Sequence, residues 1–263
     1  MTPILTVGAG RMGGATARGW LKAGAFAAAD LAFRDPQPGL DAQAAVAKGA
    51  LADPVDLTPF PTLLFAVKPQ VWRAIAADLA HRLHPDAVVV SVVAGVRLAA
   101  LKAAFQGRRV VRVMPTTGVA AAQGVASVYA EDADARARAH TLFDPIAVTV
   151  DLNEEGLMDA ATAVSGSAPA YLYAFVEALE AAGAKAGLPP DESRALARAT
   201  IASAAGLMQQ TGEEPAELRR QVTSPGGVTQ AALEVLMAPD TGFPHLLDQA
   251  VDAAIRRSRE LGD

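Results

Sequence analysis

The chain has 263 residues, of which 51% are hydrophobic and 19% are charged, and its formal net charge is −5. This length suits one large or two modest domains, and an acidic chain without a long run of Lys or Arg is a poor partner for nucleic acid or an anionic membrane. The absence of cysteine excludes disulfides, thiolate zinc sites and a cysteine nucleophile, and it fits a cytoplasmic location.

The first 150 residues alternate short apolar runs with helical segments. The predicted strands are residues 4–7, 31–33, 62–67, 88–93 and 110–114, with edge strands at 125–129 and 146–150. The predicted helices among them are residues 12–23, 42–48, 71–83 and 133–143. This alternation favours right-handed crossovers and a parallel sheet. We see no secretion signal at the N-terminus, and the longest apolar run, residues 87–96, is too short to cross a bilayer.

The pattern changes near residue 150, beyond which we predict no strand. Residues 155–164, 171–186, 191–211 and 243–261 are predicted helices, many of them rich in alanine. The sequence therefore predicts an α/β domain over residues 1–150 and an all-α domain over 151–263. So much apolar helical surface favours a homodimer or higher homo-oligomer formed through the C-terminal helices, with a self-contained bundle as the alternative.

A glycine-rich loop follows the first predicted strand and opens the first helix. Residues 8–13 match G-x-G-x-x-G, and the strand–loop–helix context makes the match specific. In such loops the first glycine permits the tight turn, the second lets the backbone approach a pyrophosphate, and the third lets helix and strand pack closely. The first domain is therefore predicted to be a Rossmann-like NAD(P)-binding domain of an oxidoreductase; a glycine turn without a ligand is the alternative. The predicted cofactor contacts in this loop are Gly8, Gly10, Arg11, Met12 and Gly13.

Two charged residues at the end of the second strand bear on the choice of cofactor. An acidic residue here usually accepts hydrogen bonds from the ribose 2′-hydroxyl of NAD, whereas an arginine accommodates the 2′-phosphate of NADP. This chain has both, Arg34 and Asp35, so the sequence leaves NADH and NADPH open. A surface pair between the two side chains is a third interpretation.

Four further segments complete a pattern. They are residues 66–70 (AVKPQ), 112–115 (RVMP), 165–171 (SGSAPAY) and 224–229 (SPGGVT). Together with the glycine loop, their order and spacing resemble the pyrroline-5-carboxylate reductase family over nearly the whole chain. The resemblance implies hydride transfer from NADPH or NADH to the C=N bond of 1-pyrroline-5-carboxylate, giving L-proline, and it favours NADPH.

The resemblance also assigns residues to a site. It places the nicotinamide half of the cofactor against Val67, Lys68, Pro69, Met114, Pro115 and Thr116. The substrate contacts that it implies are Ser165, Gly166, Ser167, Ser224, Gly226, Gly227 and Thr229. We expect Gly226 and Gly227 to turn backbone N–H groups toward the substrate carboxylate, aided by the dipole of the following helix, while Thr229, as the catalytic residue, steadies the ring nitrogen. The alternatives are a solvated Lys68 and an ordinary capped helix start at residue 228.

Five positions depart from the family's usual residues. They are Arg11 and Thr116, each in place of Asn, Gly118 in place of Pro, Ala168 in place of Gly, and Val228 in place of Thr. These changes leave room for a relative that reduces another cyclic imine.

Two other functions fit parts of the sequence. A β-hydroxyacid dehydrogenase shares the fold but needs a lysine on the helix between its domains, and Lys185, the one lysine in the second half, sits at the end of its helix. A non-catalytic NAD(P)-sensing protein would not need the turn at residues 224–229. The four histidines lack ligand spacing, so we predict no metal site.

Overall fold

A mostly parallel sheet with helices on both faces forms the first unit of the chain. The computed structural model describes residues 3–262, and this unit comprises residues up to 166 together with those from 254 onward. The strands are β1 (Ile4–Val7), β2 (Leu31–Arg34), β3 (Leu51–Ala52), β4 (Thr62–Phe65), β5 (Val88–Ser91), β6 (Val110–Pro115), β7 (Gly124–Tyr129) and β8 (Ala147–Asp151). Their order across the sheet is β3-β2-β1-β4-β5-β6-β7-β8.

Helices connect the strands of this unit. They are α1 (Arg11–Ala23), α2 (Leu40–Ala47), α3 (Trp72–Ala80), α4 (Leu98–Ala104), α5 (Ala133–Phe143) and α6 (Leu157–Ala161), the last continued by a π-helical turn at Thr162–Gly166. The β6–β7 pair is antiparallel and the other neighbouring pairs are parallel. A parallel return needs a crossover of roughly a dozen residues or more, and the short link between β6 and β7 does not provide one.

Alternate residues of the central strands enter two different cores. On β1, Ile4 packs into a cluster with Trp20 of α1, whereas Leu5 packs into a second cluster with Trp72 of α3. Because both faces of the sheet are buried, the strands read as continuous apolar runs with no polar alternation. The predicted α/β class is confirmed, and the structure adds β3 and α4, neither of which is among the predicted elements.

The second unit, residues 167–253, is helical. Its helices are α7 (Ala168–Lys185), α8 (Pro190–Thr211), α9 (Pro215–Gln221), α10 (Val228–Leu236) and most of α11 (Phe243–Gly262). The first two form an antiparallel hairpin, since the Ser193 hydroxyl donates to the Glu180 carbonyl at 2.7 Å and Arg198 pairs with the Glu180 carboxylate at 2.7 Å. A Cβ on Gly183 would lie 2.3 Å from the Ser193 hydroxyl, so glycine permits this close approach.

The division between the units falls later than the predicted position near residue 150. Residue Asp159 on α6 explains part of this difference, because its buried carboxylate pairs with Arg97 at 3.4 Å and so ties α6 to the first unit. It also accepts a hydrogen bond from the Ser258 hydroxyl at 2.7 Å and lies 3.7 Å from Arg259, which returns the end of α11 to the same unit. Among the described helices, none has the length and apolar character required to cross a membrane.

Candidate active site

The glycine loop has the geometry of a cradle for a pyrophosphate. Gly8 adopts φ +90°, and a Cβ there would lie 2.5 Å from the Ala66 carbonyl oxygen, so no other residue fits without displacing backbone. A Cβ on Gly13 would lie 2.1 Å from the Gly8 oxygen, whereas a Cβ on Gly10 would meet nothing within 4 Å. Two glycines therefore serve packing, and the middle one leaves space beside the backbone.

Helix α1 begins at this space with unpaired backbone donors. Its first hydrogen bond runs from Gly14 N to Gly10 O at 2.9 Å, so the N–H groups of the three residues between them precede the hydrogen-bond ladder. The N-cap, Gly10, contributes no side-chain cap, and Arg11 is exposed at the first helical position. The arrangement suits an anion of the size and charge of a pyrophosphate.

At the end of β2 the two charged residues have different environments. The Arg34 backbone carbonyl accepts a hydrogen bond from Gly8 N at 3.1 Å, while its guanidinium lies 3.9 Å from Asp78 on α3 and 3.4 Å from the Pro54 carbonyl. The Asp35 carboxylate accepts a hydrogen bond from the Gln37 backbone N–H at 2.8 Å. Arg34 therefore pairs with Asp78, and the surface pair between Arg34 and Asp35 does not form.

The carboxyl ends of β4, β5 and β6 place the remaining cofactor candidates along one edge of the sheet. Residues 67–69 follow β4 directly, with Lys68 exposed, and Met114 and Pro115 end β6. Between them lies the loop after β5, residues 92–95, anchored by a hydrogen bond from Val92 N to Phe65 O at 2.9 Å. Sequence reasoning missed this loop, although the apolar run that ends in Ala-Gly before residue 96 was a usable signal.

Thr116, one of the departures from the family pattern, is buried and turned into the sheet. Its hydroxyl accepts a hydrogen bond from Val125 N at 3.0 Å, and its own N–H donates to the Val125 carbonyl at 2.8 Å. The side chain therefore ends the β6–β7 pairing. Gly118 packs equally closely, since a Cβ there would lie 2.6 Å from the Gln123 carbonyl oxygen.

The π-helical turn carries the first substrate candidates. The Ser165 hydroxyl donates to the Ala161 carbonyl at 2.7 Å, and a Cβ on Gly166 would lie 3.9 Å from the Met114 side chain. The turn thus brings these two residues beside the end of β6. Single π turns within helices occur frequently at functional sites. Ser167, the third candidate of this segment, begins the second unit as the N-cap of α7.

In the second unit, the Ser-Pro-Gly-Gly turn leads into α10. Gly226 adopts φ +70° and its N–H donates to the Gln230 side-chain carbonyl at 2.7 Å. The Gly227 N–H donates to the Ser224 carbonyl at 3.0 Å. The turn itself therefore uses the N–H groups of both glycines, and the predicted role of Gly226 and Gly227 in binding the carboxylate stays a prediction.

The free backbone donors of this segment lie at the start of α10. The first hydrogen bond of α10 runs from Ala231 N to Gly227 O at 3.2 Å, so the N–H groups of Val228, Thr229 and Gln230 precede the ladder. Val228 is 91% exposed and Thr229 is half-buried, which leaves this end of the helix open to solvent. The helix dipole and these donors favour a carboxylate.

A separate charged cluster lies on α5 and the edge strand β8. The two ring nitrogens of His140 lie 3.0 Å from Asp144 and 3.2 Å from Asp151. Partial burial disfavours the charged imidazole, but the hydrogen bonds that it donates to both carboxylates outweigh this effect and raise the pKa of His140 above its ordinary value. Among the described residues, no group of three or more His, Cys, Asp or Glu side chains has a metal-binding arrangement.

Comparison with known proteins agrees with this architecture. Residues 155–261 match the model of the pyrroline-5-carboxylate reductase dimerisation family, and residues 3–95 match that of the coenzyme F420-dependent NADP oxidoreductases. Among solved structures, a pyrroline-5-carboxylate reductase from Coxiella burnetii covers 100% of this chain and 99% of its own with a TM-score of 0.90 and 24% identity. The Plasmodium falciparum pyrroline carboxylate reductase with NADP bound gives a TM-score of 0.85, also at 24% identity, over 100% and 98% of the two chains. These likenesses show the fold.

Relatives identified by sequence show the family as well as the fold. The pyrroline-5-carboxylate reductase of Synechocystis is 40% identical over 76% of this chain and 74% of its own. That of Pseudomonas aeruginosa is 37% identical over 99% of this chain and 97% of its own. The glycine cradle, the sheet edge and the free donors at the start of α10 agree with this likeness. Because the identity reaches 37% along nearly the full length of both chains, the chain belongs to the pyrroline-5-carboxylate reductase family.

Proposed function

We propose that the chain reduces 1-pyrroline-5-carboxylate to L-proline with NADH or NADPH as the hydride donor, a step of proline biosynthesis. The observation that carries the proposal is the 37% identity to the Pseudomonas aeruginosa pyrroline-5-carboxylate reductase over 99% of this chain. The glycine cradle of the first unit supports it independently, because the open space beside Gly10 lets a pyrophosphate approach the backbone.

The first unit would hold the nucleotide. The N–H groups at the start of α1 would bind its pyrophosphate, and residues 67–69 and 114–116 would lie along its nicotinamide half. When bound, the nicotinamide supplies a hydride. The part of the protein in this step is to fix the ring against the substrate and to exclude other orientations.

The second unit would hold the substrate carboxylate at the start of α10. A protonated cyclic imine is already electrophilic at carbon, so the protein needs no strong acid, and the turn at residues 224–229 contains none. We assign the Thr229 hydroxyl to accept a hydrogen bond from the iminium N–H and so steady the proton there. Ser165, Gly166 and Ser167 complete the assigned contacts, with the Ser165 hydroxyl oriented by its bond to the Ala161 carbonyl.

A second copy of the chain would cover the helices of the second unit. Among the residues described in α7, α9 and α10, none is buried, and the helical unit exposes many large apolar side chains. They include Leu172, Tyr173, Leu196, Leu207, Met208 and Val235. A surface of this kind is typical of an obligate interface, and residues 155–261 match a dimerisation family.

A side-by-side assay tests the reductase activity. The purified chain is given 1-pyrroline-5-carboxylate or its six-membered analogue with NADH and with NADPH, and loss of nicotinamide absorbance is followed. We expect oxidation with the five-membered imine and none without an imine. No oxidation of either nucleotide at high protein concentration would refute the reductase proposal, and a preference for the six-membered ring would redirect it to another cyclic imine.

Light scattering tests the assembly. Leu196, which is 56% exposed on α8, is replaced by glutamate, and Leu40, which is 83% exposed on α2 of the first unit, receives the same change as a control. We expect the first variant to shift toward the monomer mass and the second to keep the wild-type mass. A monomeric wild-type chain would exclude the homo-oligomer.

A further inference from the structure

The neighbours of Arg34 determine which nicotinamide dinucleotide this site can accept. A 2′-phosphate on the adenosine ribose requires a free cation at the end of β2, whereas an unphosphorylated ribose requires an acceptor for its hydroxyl groups. Arg34 and Asp35 offer one of each, so the outcome depends on what else they contact.

Strand geometry separates the two side chains. Successive residues of β2 point to opposite faces of the sheet, and Ala32, two residues before Arg34, lies in the core on the α3 side, whereas Phe33 lies in the core on the α1 side. Arg34 accordingly reaches α3. The strand thus directs the Arg34 guanidinium away from the glycine loop, although the Arg34 backbone carbonyl accepts a hydrogen bond from Gly8 in that loop.

Asp78 then holds the Arg34 guanidinium in place. Its carboxylate lies 3.9 Å from Arg34 and 3.1 Å from Arg82. The two arginines also donate to neighbouring carbonyls of the loop after β3, Arg34 to Pro54 at 3.4 Å and Arg82 to Val55 at 3.2 Å. Binding a phosphate would require Arg34 to leave both a counter-charge and a backbone acceptor.

The segment beyond β2 offers no substitute cation. Residues 35–47 contain two aspartates, Asp35 and Asp41, and neither lysine nor arginine. The Asp35 carboxylate is fixed by its hydrogen bond from the Gln37 N–H at 2.8 Å through one oxygen, Oδ1. Asp41 is paired with Arg18 at 3.7 Å, so the carboxylate directly beside the end of β2 is that of Asp35. This carboxylate repels a 2′-phosphate and can accept hydrogen bonds from ribose hydroxyl groups.

We infer that Asp78 acts as a latch that withdraws Arg34 from the nucleotide site and so makes this chain select NADH over NADPH. The inference rests on the proposed function only in requiring that a nicotinamide dinucleotide binds at the glycine loop. Asp78 is a positioning residue, since it acts through Arg34. The NADPH preference that the family resemblance favours does not apply to this chain if the latch operates.

Direct binding tests the latch without any turnover. Dissociation constants for NADH and NADPH are measured by nicotinamide fluorescence on the full chain and on Asp78→Asn, Asp78→Asn/Arg34→Ala and Asp35→Ser. We expect wild type to bind NADH about tenfold or more tightly than NADPH, a ratio that widens at low salt because charge repulsion is then less screened. Asp78→Asn should strengthen NADPH binding several-fold with little change for NADH.

The double variant identifies the cation. Removing Arg34 from the Asp78→Asn background should abolish the gain in NADPH affinity, and Asp35→Ser should raise NADPH affinity by a separate route. Asp134→Asn is the matched control, because Asp134 is also an exposed aspartate paired with an arginine, Arg109 at 2.9 Å, in the same unit. It should leave both constants unchanged.

Two results would overturn the latch. One is a wild-type chain that binds NADPH as tightly as NADH, and the other is an unchanged NADPH-to-NADH ratio in Asp78→Asn. Both are independent of the imine assay. If the wild-type chain prefers NADH and Asp78→Asn gains NADPH affinity as expected, yet the chain reduces neither imine, the reductase proposal would be refuted and the role of Asp78 would stand.

Discussion

Replacing Gly13 by alanine would test how closely α1 must lie against the sheet. The added Cβ would fall 2.1 Å from the Gly8 carbonyl oxygen and 3.0 Å from a methyl group of Thr6. The first neighbour is backbone in a tight turn, so α1 must move by roughly 1 Å, and overpacking of this kind costs about 3 kcal/mol at the upper end. Better helix propensity returns about 1 kcal/mol, which leaves a net loss of about 2 kcal/mol.

Thermal unfolding measures this loss. For a chain of this size about 2 kcal/mol lowers the Tm by roughly 4–8 °C. Nucleotide affinity should also fall, because the displaced helix carries the N–H groups that face the pyrophosphate.

Alanine substitutions at two neighbouring glycines distinguish the effect on stability from the effect on nucleotide binding. A Cβ on Gly14 would lie 3.3 Å from the Asp41 Cβ and one on Gly10 would meet nothing within 4 Å, so both alanine variants should melt within about 2 °C of wild type. Gly10→Ala should nevertheless weaken nucleotide binding about tenfold, because its methyl group would occupy the space beside the loop. A Gly13→Ala chain with wild-type Tm, or a Gly10→Ala chain with full affinity, would contradict the assigned roles.

Further predictions concern the substrate turn, the histidine cluster and a buried ion pair. Thr229→Ala should lower kcat at least several-fold while the Kd for the nucleotide stays unchanged; wild-type kinetics would remove its catalytic role. His140 has a raised pKa in the folded chain, so its stabilising effect is fully present below the unfolded value of about 6.5 and is lost as pH rises through the folded value. Urea unfolding of wild type and His140→Asn should therefore differ more at about pH 5.5 than at about pH 8.5, and a constant difference would exclude the linkage. Glu155→Ala leaves the buried guanidinium of Arg112, now 2.6 Å from that carboxylate, unpaired and should cost about 3 kcal/mol. The double variant Glu155→Leu/Arg112→Met should recover most of this stability in the same urea titration, and a double variant as unstable as the single one would refute the explanation.

The fold of the first unit could be predicted because both faces of its sheet are buried. Strands buried on both faces appear in the sequence as continuous apolar runs. Strands such as β1 and β5 are short apolar runs closed by glycine or by a polar turn, and the predicted bounds of α5, residues 133–143, are those of the structure. The two-residue strand β3 gave no such signal. The antiparallel direction of β7 depends on the length of a connection and on pairing across the sheet, which local pattern does not contain.

The candidate site was predictable to the level of segments. The four motifs name the segments, but they do not show which N–H groups of the 224–229 turn remain free, because this depends on the hydrogen bond from the Gly226 N–H to the Gln230 side chain. The partner of Arg34 was equally hidden. Asp78 lies 44 residues further along the chain, and its approach follows from the packing of α3 on the sheet.

The buried carboxylate of Asp159 acquires two of its partners only at the end of protein synthesis. Its hydrogen-bond donor Ser258 lies 99 residues later in the chain, and translation adds about 5–20 residues per second. For roughly 5–20 s after Asp159 is added to a nascent chain, Arg97 is therefore the one of these three partners that has already been synthesised, since Ser258 and Arg259 come later. The first unit is thus completed last, although its strands are synthesised first. A chain that a stalled ribosome releases before residue 258 lacks the contacts of Ser258 and Arg259 with the Asp159 carboxylate.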